Sequence, residues 1–294
     1  MRIVSLIPSA TEIVHLLGAE ADLVGVTFEC DHPPDPRTTR EVVVGGLETN
    51  GLTPIEIDRL VRAEIAAGND LYRLDEDRFR TCDPTHVLTQ DLCRVCALPA
   101  EEADGALERL GCDADVVTLD PHTLDEVLGT ILDVGASLGL TDRATDAVHA
   151  LRARLKDVSS RVAGRDRPRV FVLEWSDPPF LSGHWVPDLV DVAGGDAVLA
   201  DRGGRSVPTD WDTIAEHDPD IVVVAPCGFD LDDASAQATA ALDLLPERAQ
   251  VWAIDADGLV VRPGPRLVDG VEALAAIFHP DVAAPSSDST RRIR

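Results

Sequence analysis

Hydrophobic and polar positions between Thr141 and Gly164 follow one rule. Val148, Leu151, Leu155, Val158 and Val162 recur at spacings of three and four, which places them on one face of an α-helix. Thr141 stands at the N-cap position and Asp142 in the first turn, where the helix dipole favours a carboxylate. Gly164 and Pro168 provide the stop. Such a helix spans roughly 30 Å, about one domain diameter. It lies near the middle of the chain with α/β-patterned sequence on both sides. From the pattern alone it is either a beam joining two lobes or one more surface helix of a single α/β domain.

Before this helix, apolar runs and amphipathic stretches alternate. Ile3–Ile7 reads as a strand, broken at Pro8-Ser9 and followed by a helix to about Leu17 with Glu12 near its start. Free N–H groups there either face a ligand or belong to an ordinary capped turn. Leu23–Thr27 reads as a strand that runs into Phe28-Glu29-Cys30-Asp31-His32-Pro33-Pro34. Val42–Val44 is a short strand. Thr53–Ala67 is an amphipathic helix with Thr53 and Glu56 forming a capping box. His86–Thr89 and Val116–Leu119 are further strands, and Thr123–Leu138 a further helix. Alternation at this spacing implies a parallel sheet covered on both faces.

After the long helix the plan recurs. Strands are expected at Val170–Glu174, Ile221–Ala225 and Val251–Asp255. Helices are expected at Pro187–Ala193, Asp210–Glu216, Ala234–Leu245 and Leu267–Phe278, and residues 281–294 read as a polar, disordered tail.

Composition narrows the functional classes. The 294 residues are 45% hydrophobic and 27% charged, with a formal net charge of −27. A body this acidic disfavours nucleic acid and anionic membrane surfaces. Most of the acid is Asp and Lys156 is the only lysine, a halophile-like balance that high-GC codon usage also produces. The chain opens directly in a strand pattern without a leader-like segment, and no apolar run reaches about 18 residues, so neither secretion nor membrane insertion is expected. The expected location is cytoplasmic, or extracytoplasmic if a leader has been removed. The six cysteines are scattered, not arranged as a small disulfide framework.

Candidate chemistry falls in two places. Cys93 and Cys96 form a C-x-x-C pair, and with Cys82 and His86 they could hold zinc or iron. Structural thiols and a redox pair are the other readings. The second place is the set of strand ends: Glu29, Cys30, Asp31, His32, Gln90-Asp91, Trp175–Phe180, His184-Trp185, Pro226-Cys227-Gly228 and Arg262–Arg266. Ligands bind at that edge of open α/β sheets. With only 4% aromatic residues, Trp175, Phe180 and Trp185 stand out as packing surfaces for a flat or bulky ligand, unless they simply fill a core. No G-x-S-x-G, P-loop, G-x-G-x-x-G or H-E-x-x-H motif occurs, and binding is favoured over catalysis.

Several segments carry a resemblance. Arg2–Ile13, Leu23–Val26, Cys30–Pro34, Arg169–Val172, Asp177–Gly183 and Gly264–Val268 are similar to the vitamin B12 substrate-binding proteins of ABC importers. The resemblance covers roughly residues 1 to 280. Leu71–Asp75, Thr89–Cys96 and Pro179–Pro187 resemble a branch of cobalamin-binding proteins that often lacks a signal peptide. The resemblance implies an α/β, two-lobe periplasmic-binding-protein-like fold with a single long bridging helix. Its lobes would be residues 1–140 and 165–280, joined by 141–164. The implied ligand is cobalamin or another corrinoid held between the lobes, with haem and iron–siderophore complexes as alternatives in the wider family. The implied contacts are Glu29, Cys30, Asp31, His32, Asp91, Cys93, Trp175, Phe180, His184 and Trp185, with a His or Cys able to ligate the central metal. An ABC permease is an implied partner. The acidic residues that meet permease arginines in that family would here be Asp210 or Asp212 and the region of Asp75-Glu76, and the tryptophan following its Val-Pro pair is Thr209.

Overall fold

A computed structural model describes residues 1–32, 36–49, 51–91, 105, 107 and 113–294. The chain divides into two units, one comprising Met1–Pro121 and Leu128–His149, the other His122–Val127 and Ala150–Arg294.

In the first unit, β1 (Ile3–Ser5), β2 (Leu23–Thr27), β3 (Glu41–Gly46), β5 (His86–Gln90) and β6 (Asp115–Leu119) are parallel, while β4 (Tyr72–Leu74) runs antiparallel to β3. Among the described residues the strand order is β4-β3-β2-β1-β5-β6. The apolar runs become central strands because both faces are covered: β1 is buried along its whole length. Val4, Leu6, Val43, Val44, Phe79 and Val87 form the centre of its core. The connecting helices are α1 (Pro8–Leu16), α2 (Pro54–Ala66), α3 (Glu76–Cys82) and α4 (Leu124–Ser137). α2 starts as its sequence requires, with the Glu56 carboxylate accepting from the Thr53 N–H at 2.8 Å.

The long helix α5 (Thr141–Val162) has 22 residues and begins in the first unit and ends in the second. Thr141 is its first helical residue and not the residue before it. Near its end Arg154 forks onto both oxygens of Glu272, at 2.9 and 2.8 Å, and reaches Asp269 at 2.5 Å. That planar, two-pronged geometry fixes orientation as well as charge.

The second unit repeats the parallel plan with β7 (Arg169–Ser176), β11 (Ile221–Val224) and β12 (Gln250–Ile254). Short antiparallel strands extend it: β8 (Pro179–Leu181) on β7, and β10 (Val207–Pro208) on β8. β9 (Asp196–Ala197) also pairs with β7. The expected disordered tail is corrected here. β13 (Thr290–Arg292) pairs antiparallel with β12, with Thr290 buried, because the outer edge of β12 has backbone groups that need partners. Phe171, Leu173, Val222, Val224, Val251 and Ala253 form the core between this sheet and its helices. Those helices are α6 (Val186–Val192), α7 (Trp211–Glu216), α8 (Leu231–Ala240), α9 (Ala256–Leu259) and α10 (Leu267–Phe278). Among the described residues no helix is long and apolar enough to cross a membrane.

Gly270 shows how tightly α10 is seated. A Cβ added there would lie 1.9 Å from the Leu259 carbonyl oxygen. Alanine gains about 1 kcal/mol over glycine in a free helix, but the backbone contact cannot swing aside, and overpacking costs about 1–3 kcal/mol. Gly270→Ala is therefore expected to lower stability, read as a lower urea midpoint with an unchanged slope.

Candidate functional site

Each unit presents a polar surface where its parallel strands end. In the first unit the segment after β2 turns sharply because the Thr27 hydroxyl accepts from the Glu29 N–H at 3.0 Å. Phe28 lies over Gly46, where an added Cβ would meet the ring at 2.4 Å, and its ring centroid is 6.2 Å from that of Tyr72. The Tyr72 hydroxyl donates to Glu29 Oε1 at 3.2 Å. Glu29 and His32 are half-buried, and Asp31 and Asp91 are exposed. These four sequence candidates therefore reach the surface at the ends of β2 and β5.

Cys30 does not. It is 1% exposed, and its Sγ lies 3.1 Å from the Thr11 hydroxyl. It belongs to a buried polar layer with Ser5, Ser9, Thr11, Glu12 and Thr27, and this corrects its expected role as a ligand contact. Glu12 sits in the second turn of α1 and is itself buried.

Of the four residues considered as metal ligands, Cys82 and His86 are described. Cys82 closes α3 inside the core, and its thiol reaches the Val24 carbonyl at 3.6 Å. Burial raises the pKa of that thiol, opposite to what a thiolate ligand needs. His86 begins β5, with Nδ1 2.9 Å from the Thr85 hydroxyl, whereas the chain leading towards Cys93 leaves the opposite end of that strand. Cys93 and Cys96 lie outside the described residues. Among the described residues no group of three or more His, Cys, Asp or Glu side chains is placed to hold a metal ion.

In the second unit the aromatic candidates separate. Trp175 on β7 stands directly opposite Phe180 on β8, and Phe180 opposite Pro208 on β10, so the three share one face of the sheet. Phe229, which follows β11, approaches Trp175 with centroids 5.7 Å apart. Trp175, Phe180 and Phe229 are all half-buried. Trp185 is a different case. It is 4% exposed and its indole N–H donates to the Val260 carbonyl at 2.8 Å, so it braces the interior and is not a contact surface. Beside it His184, half-buried with a left-handed φ of 49°, lies 5.5 Å from the Trp185 ring and 6.0 Å from that of His122. Arg262 is buried against Asp257, and Arg266 lies 3.6 Å from Asp255, so each of these strand-end cations faces an internal carboxylate.

Glu174 had not been singled out. It sits in β7 at a register shift between Leu173 and Trp175. One carboxyl oxygen accepts from the Gly183 N–H at 3.3 Å and the other from the Ser206 hydroxyl. Burial pushes its pKa up to about 7, against the lowering effect of those two hydrogen bonds. A glutamate inside the run Val-Phe-Val-Leu-Glu-Trp was the available signal. Phe229 and Tyr72 were also missed. One lies a residue beyond a noted strand end, and the other is the chain's only tyrosine.

Two α/β units, each with candidate contacts at its strand ends, are the architecture in which the family match can be read. The chain belongs to the periplasmic binding protein family, whose model matches residues 89–252. It is 26% identical over 292 residues to an uncharacterized ABC transporter substrate-binding lipoprotein, YvrC, of Bacillus subtilis, covering 95% of this chain and 80% of that one. It is 24% identical over 275 residues to the vitamin B12-binding protein of Vibrio cholerae, covering 92% and 86%. A periplasmic haem-binding protein from Pseudomonas aeruginosa shares the fold with a TM-score of 0.74 at 23% identity, covering 99% and 97%.

Trp185→Phe would keep an aromatic ring but lose part of the packing volume and leave the Val260 carbonyl without its indole donor, the lost hydrogen bond alone costing about 1–3 kcal/mol. The expected result is a lower thermal midpoint with unchanged far-ultraviolet dichroism.

Proposed function

We propose that this protein binds a corrinoid, a cobalamin-like metal tetrapyrrole, as a substrate-binding component. The observation that carries the reading is the half-buried aromatic group Trp175, Phe180 and Phe229 at the strand ends of the second unit, in a chain with 4% aromatic residues. Rigid rings with few rotatable bonds give a flat macrocycle apolar contact at low entropic cost. On the first unit the proposed contacts are Glu29, Asp31, His32 and Asp91, whose polar groups suit the amide-bearing rim of a corrin. Similarity to the vitamin B12-binding protein supports this choice. Haem is the second reading, favoured by the same aromatic surface and by the fold shared with a haem-binding protein.

An ABC permease is the proposed partner. Asp210 is occupied as the cap of α7, accepting from the Thr213 N–H at 2.7 Å and its hydroxyl at 2.9 Å. Exposed Asp212 is then the proposed acidic contact on the second unit.

The test is an absorbance and tryptophan-fluorescence titration with cyanocobalamin, cobinamide and haemin. Saturable one-to-one binding is expected for a corrinoid. Trp175→Ala combined with Phe229→Ala should weaken it about 30-fold or more, at about 1–1.5 kcal/mol per aromatic ring. Binding of haemin alone would favour the second reading, and binding of none of the three would overturn both.

A further inference from the structure

Two segments of the second unit meet over Glu174. The corner Ser182–His184 and the returning loop Asp201–Ser206 are laid side by side. His184 N–H donates to the Gly204 carbonyl at 2.6 Å, Gly203 N–H to the His184 carbonyl at 3.0 Å, and Asp201 N–H to the Ser182 carbonyl at 3.0 Å. The approach is close enough that a Cβ on Gly183 would lie 2.5 Å from the Ser206 nitrogen. Glu174 holds both segments at once, the corner through Gly183 and the loop through Ser206. We propose that Glu174 is a positioning residue, a carboxyl latch that seats the 201–206 loop against the His184 corner, and that loss of its proton releases the loop. The ligand consequence rests on the tetrapyrrole-binding reading above, because the Ser182–His184 corner directly follows β8, whose Phe180 belongs to that surface.

The chemistry supports a latch that closes when neutral. A protonated carboxyl donates to the Ser206 hydroxyl and accepts from Gly183, satisfying every group without a buried charge. A carboxylate also accepts twice, but on the half-buried Glu174 it is partly desolvated, which disfavours the charge. The surrounding titratable and charged groups are few. β8 contributes none. The corner contributes His184, and the loop contributes Asp201, Arg205 and Arg202, the last paired with Asp188 at 2.6 Å. Asp177 stands at the end of β7 and exposed Cys227 follows β11. Among the described residues none of these forms an ion pair with Glu174, and its shift arises from burial opposed by the two hydrogen bonds. The pKa of the closed form is raised from 4.5 to about 7, so closure is fully favoured below 4.5 and is lost as pH rises through 7.

The experiment is hydrogen–deuterium exchange of the full chain without ligand, following peptides that span 200–207 between pH 6 and pH 8. For wild type, the opening equilibrium, corrected for intrinsic exchange, should rise about tenfold over that range. Glu174→Gln, whose amide donates to Ser206 and accepts from Gly183, should stay protected at both pH values. Glu174→Ala should be unprotected at both. A flat wild-type profile, or the same profile in wild type and Glu174→Gln, would overturn the latch. In parallel, cyanocobalamin affinity should fall with pH in wild type, by up to about tenfold, and not in Glu174→Gln. Absence of cyanocobalamin binding in both at every pH would count against the corrinoid reading, with the exchange profile still deciding the latch.

Discussion

A parallel strand buried on both faces takes mostly apolar side chains along its length, with a polar one admitted only where a hydrogen-bond partner meets it. The central strands β1 and β11 are buried throughout, so the chain's reactive and recognising groups are displaced to where the strands stop. Several of the candidate contacts obey this constraint. Glu29 and His32 follow β2, Asp91 follows β5, and Phe229 follows β11. Glu174 departs from it, an acid placed near the end of β7 but within the strand, and it sits at a register shift and accepts two hydrogen bonds. Exceptions of that kind persist when surrounding contacts over-determine them, and they cluster where function needs them.

The same constraint explains how much of the molecule was readable in advance. Helical periodicity carried Thr53–Ala67, Thr141–Gly164 and Leu267–Phe278 to within a few residues, because each buries one continuous stripe. The central strands were equally visible as apolar runs. Short strands at or near the sheet edges were not. β4, β8, β10 and β13 have two or three residues each, and they exist because a distant strand offers an unpaired edge. No local pattern encodes that partner.

Site residues were legible by type but not by depth. Trp175 and Trp185 both stand near the ends of apolar segments, but one lies on the sheet surface opposite Phe180 and the other donates its N–H into the interior. Cys30 and Asp31 are adjacent, yet a single turn puts the first against Thr11 and leaves the second exposed. Burial at this resolution depends on the rotation of one peptide unit, which residue spacing does not specify. The bridging role of Glu174 depends on a loop about 30 residues further along the chain, a separation beyond any window of local reading.

The last strand has a consequence for how the protein is made. All strands of the first sheet precede residue 120, whereas the second sheet is finished only by Thr290–Arg292. A chain growing from its N-terminus can complete the first sheet while the ribosome is still translating the second. Until Thr290–Arg292 has been made, the outer edge of β12 lacks its antiparallel neighbour, and an open edge is what invites pairing with another chain. Synthesis of the second unit therefore passes through a period when β12 is an open edge.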